Sequence, residues 1–197
     1  GTTAASHASG TRVGQDQCTV TSTGGIYNLT TPNARRQVRE GIQIQEGWAA
    51  GQVTGTTEDI NAVYCISATD CWAVGANGEI VQGDGTNWSV VNSPTGEDLQ
   101  SVHCTSSSNC WAVGTNGEII QWDGASWSTV ASPVGQDLNS VFCPAANDCW
   151  AVGNTSGGEV ILRYQFGAWS RVGPSGTIPN VNLNSVYCID INNCWAV

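Results

Sequence analysis

Between Asp98 and Pro133 apolar and polar residues alternate with a period near two, and turn residues interrupt the alternation at short intervals (DLQSVHCTSSSNCWAVGTNGEIIQWDGASWSTVASP). In LQSVHC, Leu99, Val102 and Cys104 are flanked by polar residues, and CWAVG is short, apolar and closed by a glycine. Asn116-Gly117 is a tight-turn signal between two apolar runs. EIIQW then runs into a second turn at Asp123-Gly124, and WSTV returns before Ser132-Pro133. The pattern predicts four short antiparallel strands, A to D, and no helix. Copies begin at Asp59, at Asp137 and, as a half-copy, at Asn182; the first cysteines of successive copies are 39, 39 and 45 residues apart. A repeated four-stranded unit of this length predicts the blades of a β-propeller.

The motif LNSVFC, followed by CWAVG, NGEI and DG-x-x-W, resembles the photosystem II stability/assembly factor-like repeat of the Asp-box (BNR-type) propellers, over about residues 40–197. The resemblance implies an all-β propeller; the copies present make it one of about four blades, and the cysteines make it a secreted, disulfide-containing variant. Two positions depart from it. An Asp box has one more residue between aspartate and tryptophan than Asp84 to Trp88 or Asp123 to Trp127, and a cysteine replaces the usual glycine before the strand-B tryptophan. Fold alone does not settle function.

Residues 40–56 read as the second half of a repeat, with GIQIQ matching EIIQW and Trp48 matching Trp88, Trp127 and Trp169 at the start of strand D. The expected organisation is an N-terminal arm at 1–39, a half-blade at 40–56, whole blades at 57–95, 96–134 and 135–179, and a half-blade at 180–197. The two halves are expected to share one blade, closing the ring without exposed edges. In a second version each half pairs with the next chain, giving an oligomer or filament. Within the arm, Val20, Thr21, Ile26 and Tyr27 flank Gly24-Gly25 and predict a hairpin or an added strand, and the arm is expected to dock on its own propeller or on a neighbour.

Charge and cysteine content narrow the setting. The net charge is −10, and all six basic residues are arginine, so there is no electrostatic footprint for nucleic acid or an anionic membrane. No apolar run reaches transmembrane length, no signal-peptide pattern is present, and the glycine start suits a processed or trimmed form. Eight of the nine cysteines form C-x5-C pairs, each spanning its A–B hairpin loop: Cys65/Cys71, Cys104/Cys110, Cys143/Cys149 and Cys188/Cys194. Zinc sites use tighter spacings and further ligands, and the only histidines are His7 and His103, so disulfides are expected. Each would stabilise its blade by roughly 2 kcal/mol, and together they imply an extracellular or cell-surface location. Cys18 is left over, for an intermolecular bridge or a free thiol.

Candidate chemistry gathers in the D–A and B–C loops, which share one face of a propeller. That face receives Asp59, Asp98, Asp137 and Asn182, with Glu58 and Glu97 beside two of them, and Glu79, Glu118 and Glu159. A carboxylate ring could hold Ca²⁺; the plainer reading has each Asp or Asn bonding its own turn and each Glu solvated. The strand-B tryptophans (Trp72, Trp111, Trp150, Trp195) and the strand-D set are expected as filler between sheets. Trp122 stands outside both series, and it and the strand-D set are the candidates for glycan stacking. Asp-box propellers include sialidases, which would imply an arginine triad, but only Arg163 and Arg171 lie in the repeats. A generic glycosidase would need two carboxylates at a set separation. His103 occupies the strand-A position of Tyr64, Phe142 and Tyr187, which predicts packing rather than acid–base work. Asn28, Asn87 and Asn154 begin glycosylation sequons. These readings lead to a non-catalytic extracellular structural protein, self-associating through its arm or shared blade. The alternatives are a glycan- or Ca²⁺-dependent lectin-like propeller and a sialidase-like hydrolase. A photosystem-assembly role fits poorly with an acidic, disulfide-rich chain.

Overall fold

The computed structural model describes residues 19–22, 25–28, 40–45 and 47–54 as strand backbone, together with the stretches 56–155, 158–173 and 182–197. The repeats fold as antiparallel sheets of a β-propeller. Blade 1 comprises β5 (Ile60–Ser67), β6 (Asp70–Gly75), β7 (Ile80–Gly83) and β8 (Trp88–Val90). Blade 2 comprises β9 (Leu99–Ser106), β10 (Asn109–Gly114), β11 (Ile119–Trp122) and β12 (Trp127–Thr129). Blade 3 comprises β13 (Leu138–Ala145), β14 (Asp148–Thr155), β15 (Gly158–Gln165) and β16 (Ala168–Arg171). In each, the sheet order follows the chain order A-B-C-D. The fourth copy supplies two strands, β17 (Val186–Asp190) and β18 (Asn193–Ala196).

The local chemistry of a blade explains its turns. At the B–C turn the two central residues are left-handed, Asn77 at φ 53° and Gly78 at 73°, then Asn116 at 54° and Gly117 at 73°. Asparagine tolerates that region and glycine adopts it freely. Glycine is also required by space: a Cβ on Gly117 would stand 2.2 Å from the Val134 carbonyl oxygen. At the C–D turn Asp84 accepts the backbone N–H groups of Thr86 and Asn87, and Asp123 those of Ala125 and Ser126. These bonds hold both exposed carboxyls below their ordinary range.

The four C-x5-C pairs are disulfide-bonded, with Cα atoms 3.9 to 4.0 Å apart. In three copies the bridge joins directly opposed ladder partners: Cys65 faces Cys71, Cys104 faces Cys110 and Cys188 faces Cys194. In blade 3 Cys143 and Cys149 continue the register of Phe142 opposite Trp150, and the register shift lies beyond them, before Ala145 opposite Asp148, as it lies beyond the cysteines of the other copies. Pro144 lies in that irregular segment, and it has no N–H to give to the ladder. On its other side Cys149 faces Tyr164 of β15, and it is fully buried in the core together with Cys143.

The core lies between sheets. One cluster joins blades 1 and 2 around Trp72, Ile80, Leu99 and Trp127, and another joins blades 2 and 3 around Trp111, Leu138, Leu162 and Trp169. A smaller one seats β17 on blade 3 through Val152, Leu183 and Val186.

The N-terminal strands differ from expectation in one respect. The predicted arm hairpin forms, with β1 (Thr19–Ser22) antiparallel to β2 (Gly25–Asn28). The strands β3 (Glu40–Gln45) and β4 (Gly47–Thr54) also pair as a C–D hairpin would. They do not complete the fourth blade, however. β4 runs parallel to β8, with Val53 opposite Trp88 and Thr54 opposite Ser89, so the first sheet has six strands and β17–β18 stand as two. The reason is proximity: β8 offers an unpaired edge close in sequence, and closing a short connection costs less entropy than a long one. The rest of the arm, Cys18 and His7 included, lies outside the described residues.

Candidate functional site

The loop face carries blade-to-blade staples. Asp98 Oδ1 accepts the backbone N–H of Asn77 at 2.8 Å, and Asp137 Oδ1 that of Asn116 at 3.0 Å. Each aspartate therefore ties its blade to the turn of the preceding blade, rather than capping its own turn as the sequence suggested. The neighbouring glutamates clamp the same asparagines from within the repeat: Asn77 Nδ2 donates to Glu58, and Asn116 Nδ2 and the Thr115 hydroxyl donate to Glu97. Asp59 and Asn182, at the two ends of the series, are exposed. Glu79, Glu118 and Glu159 are half-buried rather than solvated. Burial raises the Glu118 carboxyl, as does Glu97, while the Thr129 and Thr95 hydroxyls oppose the shift. Among the described residues no three His, Cys, Asp or Glu side chains come together as a metal-binding group.

At the inner strands an aromatic column runs through all four copies. Tyr64 lies 4.4 Å from His103, His103 4.3 Å from Phe142, and Phe142 4.9 Å from Tyr187, centroid to centroid. His103 Nδ1 accepts the Cys143 backbone N–H at 3.3 Å. Burial pushes His103 down to about 4, so the neutral ring is the form that packs. Parallel bonds link the other strand-A positions, from Val141 N–H to the Ser101 hydroxyl and from Val186 N–H to the Ser140 hydroxyl.

The outer half of each junction is an aromatic clamp. Trp72 of blade 1 inserts against Trp122 (4.7 Å) and edge-on to Trp127 (5.3 Å) of blade 2. Trp111 of blade 2 does the same with Tyr164 (4.6 Å) and Trp169 (5.4 Å) of blade 3. Trp122 belongs to this clamp, and its indole N–H donates to the Ser107 carbonyl at 3.0 Å. Its ring is engaged, so position 122 is not the open stacking platform considered from the sequence. Trp127 and Trp169 of the strand-D set are likewise buried.

The next two junctions depart from the pattern. Trp150 of blade 3 is half-buried, and the Arg163 guanidinium lies 4.6 Å over its ring. Arg163 is held there by a two-pronged bond to buried Asp148 (2.9 and 2.6 Å), to which Gln165 also donates. Trp195 of the last copy is 56% exposed, where Trp72 and Trp111 are fully buried. Around it Tyr187 is 60% exposed, Ile189 73% and Val197 74%. This face, bordered by the edge of β18, is the candidate binding surface. The sequence treated Trp195 as filler like its counterparts. What separates it is its neighbour: strands C and D of the following blade cover Trp72 and Trp111, and among the described residues no C–D hairpin follows Trp195.

Of the sequon asparagines, Asn87 is exposed in its turn. Asn154 is half-buried, its side-chain oxygen accepting from Asn139. Asn28 ends β2, and its side chain lies outside the described residues.

No protein-family model matches the chain, and neither does any curated protein. Solved structures do. YCF48 bound to a D1 peptide aligns at 21% identity with a TM-score of 0.52, over 63% of this chain and 44% of that one. YCF48 from Cyanidioschyzon merolae aligns at 14% identity with a TM-score of 0.60, over 94% and 62%. An ancestral GH74 enzyme aligns at 15% identity and 0.54, over 92% and 25%. The chain thus spans less than two thirds of each of these proteins. At such identities the likeness carries the propeller fold alone, in agreement with the blades described above.

Proposed function

We propose that the protein is a non-catalytic extracellular structural protein, a propeller subunit that assembles with other copies through its open ends. The observation that carries this reading is the apolar face of β17–β18, where Tyr187, Ile189, Trp195 and Val197 are exposed beside a strand edge that no described strand pairs with. Contiguous exposed apolar surface of this kind marks an interaction site, and an open edge is a template for strand pairing. Four disulfides favour an oxidising location. Among the described residues no helix is long and apolar enough to cross a membrane.

The absence of catalysis is part of the proposal and rests on repetition. Equivalent carboxylates in successive blades perform the same stapling bonds, whereas a catalytic centre needs unlike residues converging on one point. The lectin-like alternative is less well supported, because Asp98, Asp137 and Trp122 are engaged within the fold. Sedimentation velocity of the intact chain over a range of concentrations tests the reading. Mass that grows with concentration supports it, and a monomer throughout sinks it. Calcium-responsive glycan binding by the monomer would favour the lectin-like alternative.

A further inference from the structure

The three complete blades show what covers a strand-B edge in this protein. In blade 2, Cys110, Trp111 and Ala112 face Trp122, Gln121 and Ile120 of strand C. In blade 1, Cys71, Trp72 and Ala73 face Gly83, Gln82 and Val81. In blade 3, Cys149, Trp150 and Ala151 face Tyr164, Arg163 and Leu162. Strand D then sets its first tryptophan opposite the last of those strand-C positions, Trp127 against Trp122, Trp88 against Gly83 and Trp169 against Tyr164. The β3–β4 hairpin repeats this register, with Ile44 opposite Trp48. Counting back from Ile44 puts Gln43 at the place of Gln82 and Gln121, and Ile42 at the place of Val81 and Ile120. Two free edges follow from the strand order. β3 ends the six-stranded sheet on one side, and among the described residues β18 has no third strand beside it.

We infer that β18 of one copy receives β3 of a second copy as its strand C, with β4 of that copy as strand D. The inference rests on the assembly reading above and names the partner segment. Cys194, Trp195 and Ala196 would face Ile44, Gln43 and Ile42 of the second chain, in the register that the complete blades use. β4 keeps its pairing with β8, because the edge offered is the opposite side of the hairpin. The joined sheet reads β17-β18-β3-β4, which restores the order A-B-C-D across two molecules. Main-chain hydrogen bonds along the edge supply affinity, and alternate side chains supply register. The interface is head-to-tail, since each chain gives β3 from one end and β18 from the other; such contacts propagate into filaments unless a rotation closes them into a ring.

Two proline substitutions test the pairing in the full chain. Ile42→Pro removes a donor that β3 turns to its free edge, at the place where Val81 and Ile120 face strand B, and Ala196→Pro removes one from the free edge of β18. Sedimentation velocity should show the unsubstituted chain growing beyond dimer, and each variant alone associating at least tenfold more weakly. The two variants mixed should stop at a 1:1 dimer, since between them they retain one good β18 and one good β3. If both variants keep their disulfides and strand circular dichroism but the mixture stays monomeric while the unsubstituted chain associates, the inference fails and the assembly uses another surface. If the unsubstituted chain never associates, both the inference and the assembly reading fail. Should a proline variant not fold, chains carrying Ile42→Cys and Ala196→Cys in a Cys18→Ser background replace it. They should form mixed disulfide dimers on oxidation, and no such dimer from an associating chain overturns the proposal.

Discussion

The junction between blades 2 and 3 and the outer face of β17–β18 present the same sequence motif in opposite environments. Trp111 and Trp195 both follow the second cysteine of a C-x5-C pair and precede Ala-Val, yet Trp111 is fully buried and Trp195 is 56% exposed. Trp111 is covered by Tyr164 and Trp169, which belong to the next blade. The burial of a strand-B tryptophan is therefore conferred by its neighbour, and a blade supplies cover one position back along the array. This is the nearest-neighbour logic of repeat proteins, in which each unit adds its own stability and one interface term. Trp150 stands between the two cases, its ring capped by Arg163.

The largest expected effect breaks the comparison directly. Trp111→Ala should cost about 3–5 kcal/mol of stability by denaturant unfolding. Trp195→Ala should change the stability of the monomer by less than about 0.5 kcal/mol while weakening self-association. Comparable losses at both positions would mean that Trp195 is covered in solution.

The next effect concerns the aromatic column. The folded His103 titrates at about 4 against an ordinary value of 6.5, so its packing is fully available above about pH 6.5 and is lost as the pH falls through 4. A shift of that size corresponds to a loss on the order of 3 kcal/mol at the acid end. His103→Phe, which borrows the residue of blade 3, should flatten stability against pH across this window in thermal melts, at the expense of the bond from the Cys143 N–H. An unchanged pH profile would remove His103 as its source.

Replacing Cys104 and Cys110 together by alanine should lower stability by about 2 kcal/mol, as expected for a short closed loop. The same change at Cys188 and Cys194 should loosen β17–β18 selectively, because among the described residues its core support comes from blade 3; amide exchange would locate the difference. The smallest contrast compares two aspartates. Asp98→Ala removes the acceptor of the Asn77 N–H and should cost about 1 kcal/mol, whereas Asp59→Ala, at an exposed position, should cost close to nothing. Equal effects in chemical denaturation would show that Asp59 also staples a blade.

Much of the architecture was legible because its causes are local. Asn116-Gly117 announces a left-handed turn, Asp123 a capped one, and the C-x5-C spacing a bridged hairpin, each from contacts within a few residues. His103 was recognisable as packing from its register with Tyr64, Phe142 and Tyr187. The candidate site was less legible. Asp98 and Asp137 were expected to serve their own turns, but their partners lie in the preceding blade, 21 residues away in sequence. Trp122 looked like an outlier because its partner, Trp72, belongs to another repeat. The shared blade was anticipated from matching half-repeats, yet similarity of sequence does not say which free edge a hairpin will meet first.

By itself, then, the sequence determined the repeat, its strands and turns, and the four disulfides. All of these arise from alternation, backbone preference and covalent spacing inside one unit. The tertiary structure decided which units touch, and hence that β3–β4 lies against β8 and that Trp195 is left uncovered. Burial and strand pairing between repeats depend on which surfaces remain unsatisfied once neighbours have packed, and a motif repeated four times carries no mark of the neighbour it will find.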